Sequence, residues 1–380
     1  MNRIYADHAA TTPMHPEAVK VMTDTLTEHY GNASSIHSVG RRSRQVLDEA
    51  RSQFAASIGA DFNEIIFTSG GTESNNLAIV GTANALKHKG RHIITTKIEH
   101  HAVLHPCEAL VQQGFQVTFL DVDETGVISI KELKKALRED TILVSIMYGN
   151  NEVGSIQPIR EIAELLETHQ ATFHTDAVQA FGLEEIHVKD LKVDMLSVSA
   201  HKINGPKGVG FLYVKNGIPL SPGLLGGEQE RKRRAGTENI PALASFAKAA
   251  ELALKGREEK KVHLQAIKDR LLDELNEKQV SYKVNGSLES TLAHVLNLSI
   301  AGTDVEAMLV NLDLAGIAVS SGSACTAGSL EPSHVLSAMY GKNDERLSNS
   351  IRFSFGLGST IEDAEMIADQ IALIVNRLKQ

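Results

Sequence analysis

Lys202 is the residue of this sequence with the clearest potential for covalent chemistry. It closely follows the apolar run Met195–Ser199, so its amine is expected at a buried edge. Desolvation lowers the pKa of a lysine, and the neutral amine can then hold an aldehyde such as pyridoxal phosphate. A surface-loop lysine is the alternative, and nearby Lys207 competes for the role. Lys202 is favoured because Ser199 and His201 beside it could donate to a phosphate.

Two further features match the needs of a pyridoxal-phosphate site. The turn 70–72 is Gly-Gly-Thr and opens a predicted helix, Glu73–Leu86, whose N-terminus could hold a phosphate. An ordinary turn capped by Thr72 is the alternative. Asp176 ends an apolar run upstream of Lys202 and could keep a pyridine nitrogen protonated, although it could also cap a helix. Together with Lys202, these features predict the cofactor.

The stretch from His100 to Cys107 contains three histidines and a cysteine that could bind a metal. His101 and His105 are four residues apart on a predicted helix, a plausible ligand pair. Because no second cluster supplies the remaining ligands, we expect no metal. The His100 imidazole could instead stack on a pyridine ring and act as an acid or base, and Cys107 is interpreted as core.

Cys325 and Arg352 are candidates for binding and attacking a small substrate. Cys325 lies in a run of small, polar residues between 319 and 332, which predicts a mobile arm suited to a nucleophile. An incidental loop thiol is the alternative. Arg352 lies between apolar neighbours in the predicted strand Ser350–Phe355, which suggests a carboxylate clamp or a structural ion pair. The basic run 230–239 could lie near a phosphate or form a solvated loop.

The elements that must position these residues alternate regularly along the chain. Successive apolar runs begin 24 to 29 residues apart, a spacing that fits parallel strands joined by crossover helices. A seventh run follows the sixth after a Gly/Pro-rich turn. The runs are Ile65–Thr68, His92–Thr95, Val117–Leu120, Ile142–Met147, Ala171–His174, Met195–Ser199 and Val209–Val214. They predict an α/β fold with a mostly parallel seven-stranded sheet, and ligands bind beyond the carboxyl ends of such strands.

Two domains are predicted. Residues 14–255 would form the large cofactor-binding α/β domain, with helices over His15–His29 and Ser38–Ile58 before the sheet. Residues 1–13 and 256–380 would form a smaller α+β domain that carries Cys325. A charged helical stretch, interrupted near Gly256, links the two.

Composition limits the function classes. The 380 residues carry a formal net charge of −9, which gives no support to nucleic-acid binding or to an anionic membrane surface. Only two cysteines are present, so a disulfide framework is excluded and a reducing compartment is indicated. No apolar run approaches transmembrane length and the N-terminus lacks a signal-peptide core, so we expect a cytoplasmic protein.

Several motifs resemble one enzyme family. They are Ser-Ser-Gly-Ser-Ala-Cys at 320–325, Ser-Ala-His-Lys at 199–202, Gly-Pro-Lys-Gly at 205–208, and the segments 5–13 and 31–37. They closely resemble cysteine desulfurases, which belong to the class V aminotransferase group with the aspartate-aminotransferase-like fold, pyridoxal-phosphate fold type I. The loop between Cys325 and Pro332 resembles the subgroup with an extended, mobile catalytic loop. Ala200 stands where relatives often have glycine, a small change.

The resemblance implies a role for each matching residue. Lys202 would carry pyridoxal 5'-phosphate, His100 would stack on it and shuttle protons, and Cys325 would take the sulfur. Asp176 would pair with the pyridine nitrogen. The phosphate would be held by Gly71, Thr72, Ser199, His201 and, from the neighbouring subunit of a homodimer, Thr237. The ring oxygen side would meet Gln179 and Asn151, and the substrate would be bound by Arg352, Asn32 and Asn151.

The function implied is conversion of L-cysteine to L-alanine, with a persulfide on Cys325 that passes to a sulfur-acceptor protein. That acceptor could be an iron-sulfur scaffold or a tRNA-thiolation enzyme. A selenocysteine lyase or another class V aminotransferase is the nearest alternative. A sulfur-carrier scaffold without catalysis is an alternative of a different class, and purified protein would then be colourless.

Overall fold

A computed structural model describes residues 3–321 and 332–378. The strands of these residues are β1 Ile4–Tyr5, β2 Ile65–Thr68, β3 His92–Thr96, β4 Gln116–Leu120, β5 Thr141–Ser145, β6 Thr172–Asp176, β7 Met195–Ser199, β8 Gly210–Val214, β9 Tyr282–Val284, β10 Val295–Ile300, β11 Ile317–Ala318 and β12 Ser350–Ser354. The α-helices are α1 Pro16–Glu28, α2 Ser38–Ser57, α3 Gly71–Leu86, α4 His101–Gln112, α5 Ile130–Ala136, α6 Ile159–Leu166, α7 Val188–Leu191, α8 Ile240–Lys255, α9 Arg257–Glu277, α10 Val305–Leu314, α11 His334–Tyr340, α12 Arg346–Asn349 and α13 Ile361–Leu378.

The central sheet has seven strands in the order β2-β8-β7-β6-β5-β3-β4. All neighbouring pairs are parallel except those of β8, which runs antiparallel to both β2 and β7. The connection from β7 to β8 is too short for a crossover helix, so β8 must reverse direction. The predicted α/β class with a mostly parallel seven-stranded sheet is confirmed.

Both faces of this sheet are covered, so its inner strands are buried on both sides, including the polar residues of β6. Strands β5 and β7 are buried along their whole length. One face packs on α2 and α8, where the Phe54 ring lies 4.4 Å from that of Phe246 and 5.0 Å from that of Phe211. The other face packs on α3 and α4. The sheet is thereby fixed between helices, and its carboxyl edge holds loops rather than core.

A second core forms around a smaller antiparallel sheet, β12-β10-β9. Helices α9, α10 and α13 cover it with buried aliphatic side chains. The chain start joins this core, because β1 pairs in parallel with β11. Gly256 separates α8 from α9 at the expected interruption. The domain boundaries predicted from the sequence stay predictions.

Three short elements were not predicted. Strands β1 and β9 contain two and three residues, and helix α12 contains four, too few to show a periodic pattern. Among residues 3–321 and 332–378, every helix is too short or too polar to cross a lipid bilayer.

Candidate active site

One cavity of about 500 Å³ opens at the carboxyl edge of the central sheet. Its size lies within the range of small-molecule sites. Ten of the residues predicted to bind the cofactor or the substrate line it, and they come from both cores of the fold. They are Gly71, Thr72, His100, Asn151, Asp176, Gln179, Ser199, His201, Lys202 and Arg352.

Lys202 ends a 3-10 turn that directly follows β7. Its Nζ donates to the carbonyl oxygens of Ala9 and Ala10, the latter at 2.8 Å. Burial, together with the Arg352 charge and against the charges of Asp7 and Asp176, lowers the pKa of the Lys202 amine to about 8. Near neutral pH, a useful fraction of the amine is therefore uncharged and nucleophilic.

Asp176 is the last residue of β6, and it faces the cavity from the centre of the sheet. Its Oδ2 accepts a hydrogen bond of 2.6 Å from Asn75 Nδ2, and its Oδ1 accepts one of 2.9 Å from the Val178 N–H. These donors fix the carboxylate without neutralising it. An anion held this way is suited to a protonated pyridine nitrogen.

The glycine turn between β2 and α3 forms a close-fitting wall of the cavity. Gly70 has φ of 143°, which L side chains rarely adopt. A Cβ added at Gly71 would lie 2.8 Å from Val178 Cγ2 and 3.6 Å from Ser199 Cβ. The first turn of α3 has N–H groups without intrahelical partners, so a phosphate fits where a side chain does not.

His201 adds a neutral imidazole to the cavity wall. Burial lowers the pKa of His201 to about 4, helped by the charges of Lys202 and Lys207. Its Nδ1 lies 3.2 Å from Thr11 Oγ1, which leaves Nε2 for another partner. A neutral ring is able to donate one hydrogen bond to a phosphate from that nitrogen.

His100 caps the N-terminus of α4, and its ring is exposed to the cavity. Its Nδ1 accepts from the Ala102 N–H at 3.0 Å, so the ring proton of neutral His100 lies on Nε2. Burial lowers the pKa of His100. The charge of Asp176 acts to raise this pKa, and the charge of Lys202 acts to lower it. The ring is thus a neutral acid or base at neutral pH.

Arg352, on β12, reaches the cavity from the second core with only 3% of its surface exposed. Its Nη2 donates to Asp7 Oδ1 at 2.7 Å, and its Nη1 donates to the Asn151 carbonyl oxygen at 2.9 Å. The structural ion pair considered for Arg352 is therefore present, and it holds the guanidinium at the cavity wall. A held guanidinium can still receive a substrate carboxylate.

Two predicted residues do not line this cavity. Asn32 is exposed in the loop before α2, where its Oδ1 accepts from the Ser34 N–H at 2.8 Å. Thr237 is exposed in the loop before α8. Its predicted role in the site of a neighbouring subunit stays a prediction, as does that of Asn32. Cys325 lies outside the described residues.

Sequence reasoning assigned no role to several residues that the site uses. Asn75 and Asp7 bind the functional groups of Asp176 and Arg352, and Glu152 is a buried carboxyl group of the cavity wall. Burial raises the pKa of Glu152, and Ser333 Oγ lies 2.5 Å from its Oε2. Only Asn75 could have been found from the sequence, because it lies one helical turn after Gly71 and therefore on the same face of α3.

The histidine-rich stretch contains no metal centre within residues 3–321 and 332–378, where no group of three or more ligating side chains has suitable geometry. The His101 ring lies 4.8 Å from that of His105 and 4.7 Å from that of His334. Cys107 is buried in α4, and burial raises the pKa of its thiol to about 12. The cysteine is therefore inert core, as its sequence context indicated.

Comparisons with known proteins agree on the family. The family described as "Aminotransferase class-V" matches residues 4–367. A protein of Bacillus subtilis (strain 168), "Putative cysteine desulfurase IscS 1", is 60% identical over 378 residues, which span 100% of both chains. "Cysteine desulfurase IscS" of Dictyoglomus turgidum is 47% identical, covering 99% of this chain and 95% of that one.

A solved structure has the same architecture. The "NIFS-LIKE PROTEIN" superimposes with a TM-score of 0.93 and 34% sequence identity, covering 99% of this chain and 100% of the other. Both the sequence and the backbone thus match over the full length. The chain belongs to the class V aminotransferase family and, within it, to the cysteine desulfurases.

Proposed function

We propose that this chain converts L-cysteine to L-alanine with pyridoxal phosphate held on Lys202, and that Cys325 receives the sulfur as a persulfide. One observation carries the proposal. A lysine amine of lowered pKa shares a single cavity with a fixed carboxylate, a close-fitting glycine turn and a fixed guanidinium. These are, in one place, the groups that an aldehyde cofactor with a phosphate and an amino-acid substrate require.

The described residues fit the cofactor group by group. Gly71, Thr72, Ser199 and His201 would hold its phosphate, Asp176 its pyridine nitrogen, and Gln179 with Asn151 its ring oxygen. When bound, pyridoxal phosphate supplies an electron sink for the substrate Cα. The role of the protein is to position the substrate and to move protons.

Lys202 is the base of the proposed reaction. Once the substrate is bound, the free Lys202 amine would remove the Cα proton. A pKa of about 8 leaves part of the Lys202 population neutral at pH 7 to 8, as a base requires. The carbonyl oxygens of Ala9 and Ala10 accept hydrogen bonds from the resulting ammonium.

His100 and Arg352 would act on the two other parts of the substrate. His100 lines the cavity, and the Nε2 proton of its neutral ring would be exchanged with the substrate thiol. Arg352 would bind the substrate carboxylate while Asp7 holds the guanidinium in place. The substrate would thereby be oriented with its side chain toward the cavity mouth.

The sulfur atom would pass from the substrate to Cys325 by displacement. The Cys325 thiolate attacks the substrate sulfur, an S–S bond forms, and the C–S bond breaks with its electron pair moving to carbon. Protonation of that carbon and return of a proton to Cα, for which the Lys202 ammonium is the donor, complete alanine, and the enzyme retains a persulfide. Thiol exchange then passes the outer sulfur to an acceptor protein. We propose that this acceptor is an iron-sulfur scaffold or a tRNA-thiolation enzyme.

Two further parts of the proposal concern the setting of the enzyme. A homodimer would bring Thr237 of one subunit to the phosphate of the other, and the basic run 230–239 supports an anion nearby. Cys325 must return to a thiol after each turnover, which favours the reducing cytoplasm.

The test compares the two cysteines of the chain. Cys325→Ala should keep the visible absorption of the bound cofactor, yet release no sulfide and no alanine from L-cysteine. Cys107→Ala is the matched control and should retain turnover, because this thiol is buried away from the cavity. Full turnover by Cys325→Ala would refute the nucleophile assignment. Colourless wild-type protein after incubation with pyridoxal phosphate would refute the cofactor assignment.

A further inference from the structure

A chain of hydrogen bonds runs from the Lys202 amine into the second core of the fold. The Ala9 carbonyl oxygen accepts from Lys202 Nζ and also, at 2.9 Å, from Gln179 Nε2. The other end of the Gln179 amide, Oε1, lies 3.0 Å from His294 Nε2. His294 directly precedes β10 and is 6% exposed.

The Ala9 carbonyl oxygen determines the direction of each hydrogen bond between Ala9, Gln179 and His294. A carbonyl oxygen can only accept, so the amide nitrogen of Gln179 must face Ala9 and its oxygen must face His294. Gln179 Oε1 also can only accept, so the His294 proton must lie on Nε2. The buried Nδ1 of His294 has no hydrogen-bond partner among the described residues, which fits this proton-free assignment.

The charges around His294 favour the same neutral form. Burial and the nearby cations Lys260, Lys268 and Lys202, together with His8, hold the pKa of His294 well below its usual value. The ring is therefore a fixed, neutral donor whose single proton points at Gln179. An imidazolium here would leave a second buried donor unsatisfied.

We propose that His294 is a positioning residue that orients the Gln179 amide, so that its N–H donors engage the Ala9 carbonyl and the cavity. One amide proton is used by Ala9. The second amide proton of Gln179 remains for the cavity, which Gln179 lines. There the anionic ring oxygen of the proposed cofactor would require a donor and not an acceptor. This inference deepens the proposed function and rests on it, since it concerns the residues around the cofactor-bearing amine.

The position of Gln179 also affects the basicity of Lys202. While Gln179 donates to Ala9, the carbonyl oxygen divides its acceptor capacity between an amide and an ammonium. If Gln179 loses that orientation, the Ala9 carbonyl oxygen becomes fully available to the Lys202 ammonium. Alternatively, the Gln179 side-chain oxygen turns toward the Lys202 ammonium. Either change stabilises charged Lys202, whose other charged neighbours are Arg352, Asp7 and Asp176.

The test measures the titration of Lys202 in cofactor-free protein. Competitive acetylation across pH, read by peptide mass spectrometry, gives the pKa of the amine without any turnover. His294→Leu removes the donor and should raise this pKa by about 0.5 to 1 unit. His294→Gln retains an amide donor and should restore most of the wild-type value.

A buried histidine remote from the cavity provides the matched control. His92 lies at the start of β3, where two threonine hydroxyls satisfy it. His92→Leu should leave the Lys202 titration unchanged even if it destabilises the fold. Gln179→Leu should shift the titration as His294→Leu does, and the double variant should add nothing further, because both act through one amide.

Three outcomes would overturn the inference. They are an unshifted titration in folded His294→Leu, an equal shift in His92→Leu, and full additivity of His294→Leu with Gln179→Leu. None of these depends on cofactor binding or sulfur release. Wild-type protein that binds no pyridoxal phosphate would refute the proposed function instead, so the two failures are distinguishable.

Discussion

Asp7 Oδ1 and Arg352 Nη2 lie 2.7 Å apart, and they join the start of the chain to strand β12 at the cavity wall. The second arm of the guanidinium donates to the Asn151 carbonyl oxygen, on the loop after β5. Three distant segments thus fix one cation before any substrate enters. Such preorganisation reduces the entropy lost when a carboxylate binds.

Arg352→Lys tests this arrangement as a substrate clamp. A lysine keeps the positive charge but loses the planar fork, so the KM for L-cysteine should rise about tenfold to hundredfold, with a smaller change in kcat. Steady-state alanine formation measures both constants. Arg346→Lys, outside the cavity, should leave them unchanged. An unaltered KM in Arg352→Lys would mean that the carboxylate binds elsewhere.

His100→Asn separates the structural and chemical roles of His100. Asparagine also caps helices well, so the free energy of unfolding should change by less than about 0.5 kcal/mol. Loss of the imidazole should lower kcat by about 10²- to 10⁴-fold, the usual contribution of an acid or base. Exposed His105→Asn is the control, with normal kcat expected. Near-normal kcat in His100→Asn would remove the proton shuttle from the mechanism.

The residues that sequence reasoning found share a simple local signal. Gly71, Asp176 and Lys202 each follow an apolar run, and parallel strands bring their carboxyl ends to one edge. That rule needs no knowledge of distant contacts. The rule therefore predicts the sheet edge at which the cavity opens and these three residues of its lining.

The residues that were missed act through partners far away in the chain. His294 lies 115 positions from Gln179, and Asp7 lies 345 from Arg352, so no local pattern connects either pair. Ser333 and Glu152 are likewise 181 positions apart. Such pairs depend on how the two cores pack together, and that packing is determined by side chains rather than by periodicity.

Ser333→Ala tests one of these contacts between distant segments. Ser333 Oγ accepts from the Leu336 N–H as the cap of α11 and lies 2.5 Å from Glu152 Oε2. Its removal loses the cap and leaves a buried carboxyl group without this partner, at a cost of about 2 to 4 kcal/mol in unfolding free energy. Urea denaturation measures the change.

Ser129→Ala is the matched control for the cap alone. Ser129 caps α5 at an exposed site, so its loss should cost about 0.5 to 1 kcal/mol. The difference between the two variants gives the contribution of the Glu152 contact. Equal losses in both would show that this contact adds no stability.

Lys268→Met tests the cost of a buried charge behind the site. Lys268 is 0% exposed, and its Nζ donates only to the Leu292 carbonyl oxygen, at 3.3 Å, among the described residues. Burial lowers the pKa of Lys268 from 10.5 to about 8. At pH 7 the folded state therefore contains an ammonium in an unfavourable place, and methionine fills the same space without charge.

The expected gain depends on pH with a definite sign. Below pH 8 the amine is charged in both states, so Lys268→Met should raise the unfolding free energy by about 2 kcal/mol after loss of the hydrogen bond. Between pH 8 and 10.5 the unfolded wild type binds more protons than the folded one, so wild-type stability rises with pH and the advantage of the variant shrinks. Urea denaturation at pH 7 and 9.5 measures this difference. Lys255→Met, exposed at the end of α8, should change neither value by more than about 0.5 kcal/mol, and a pH-independent gain in Lys268→Met would contradict the buried-charge account.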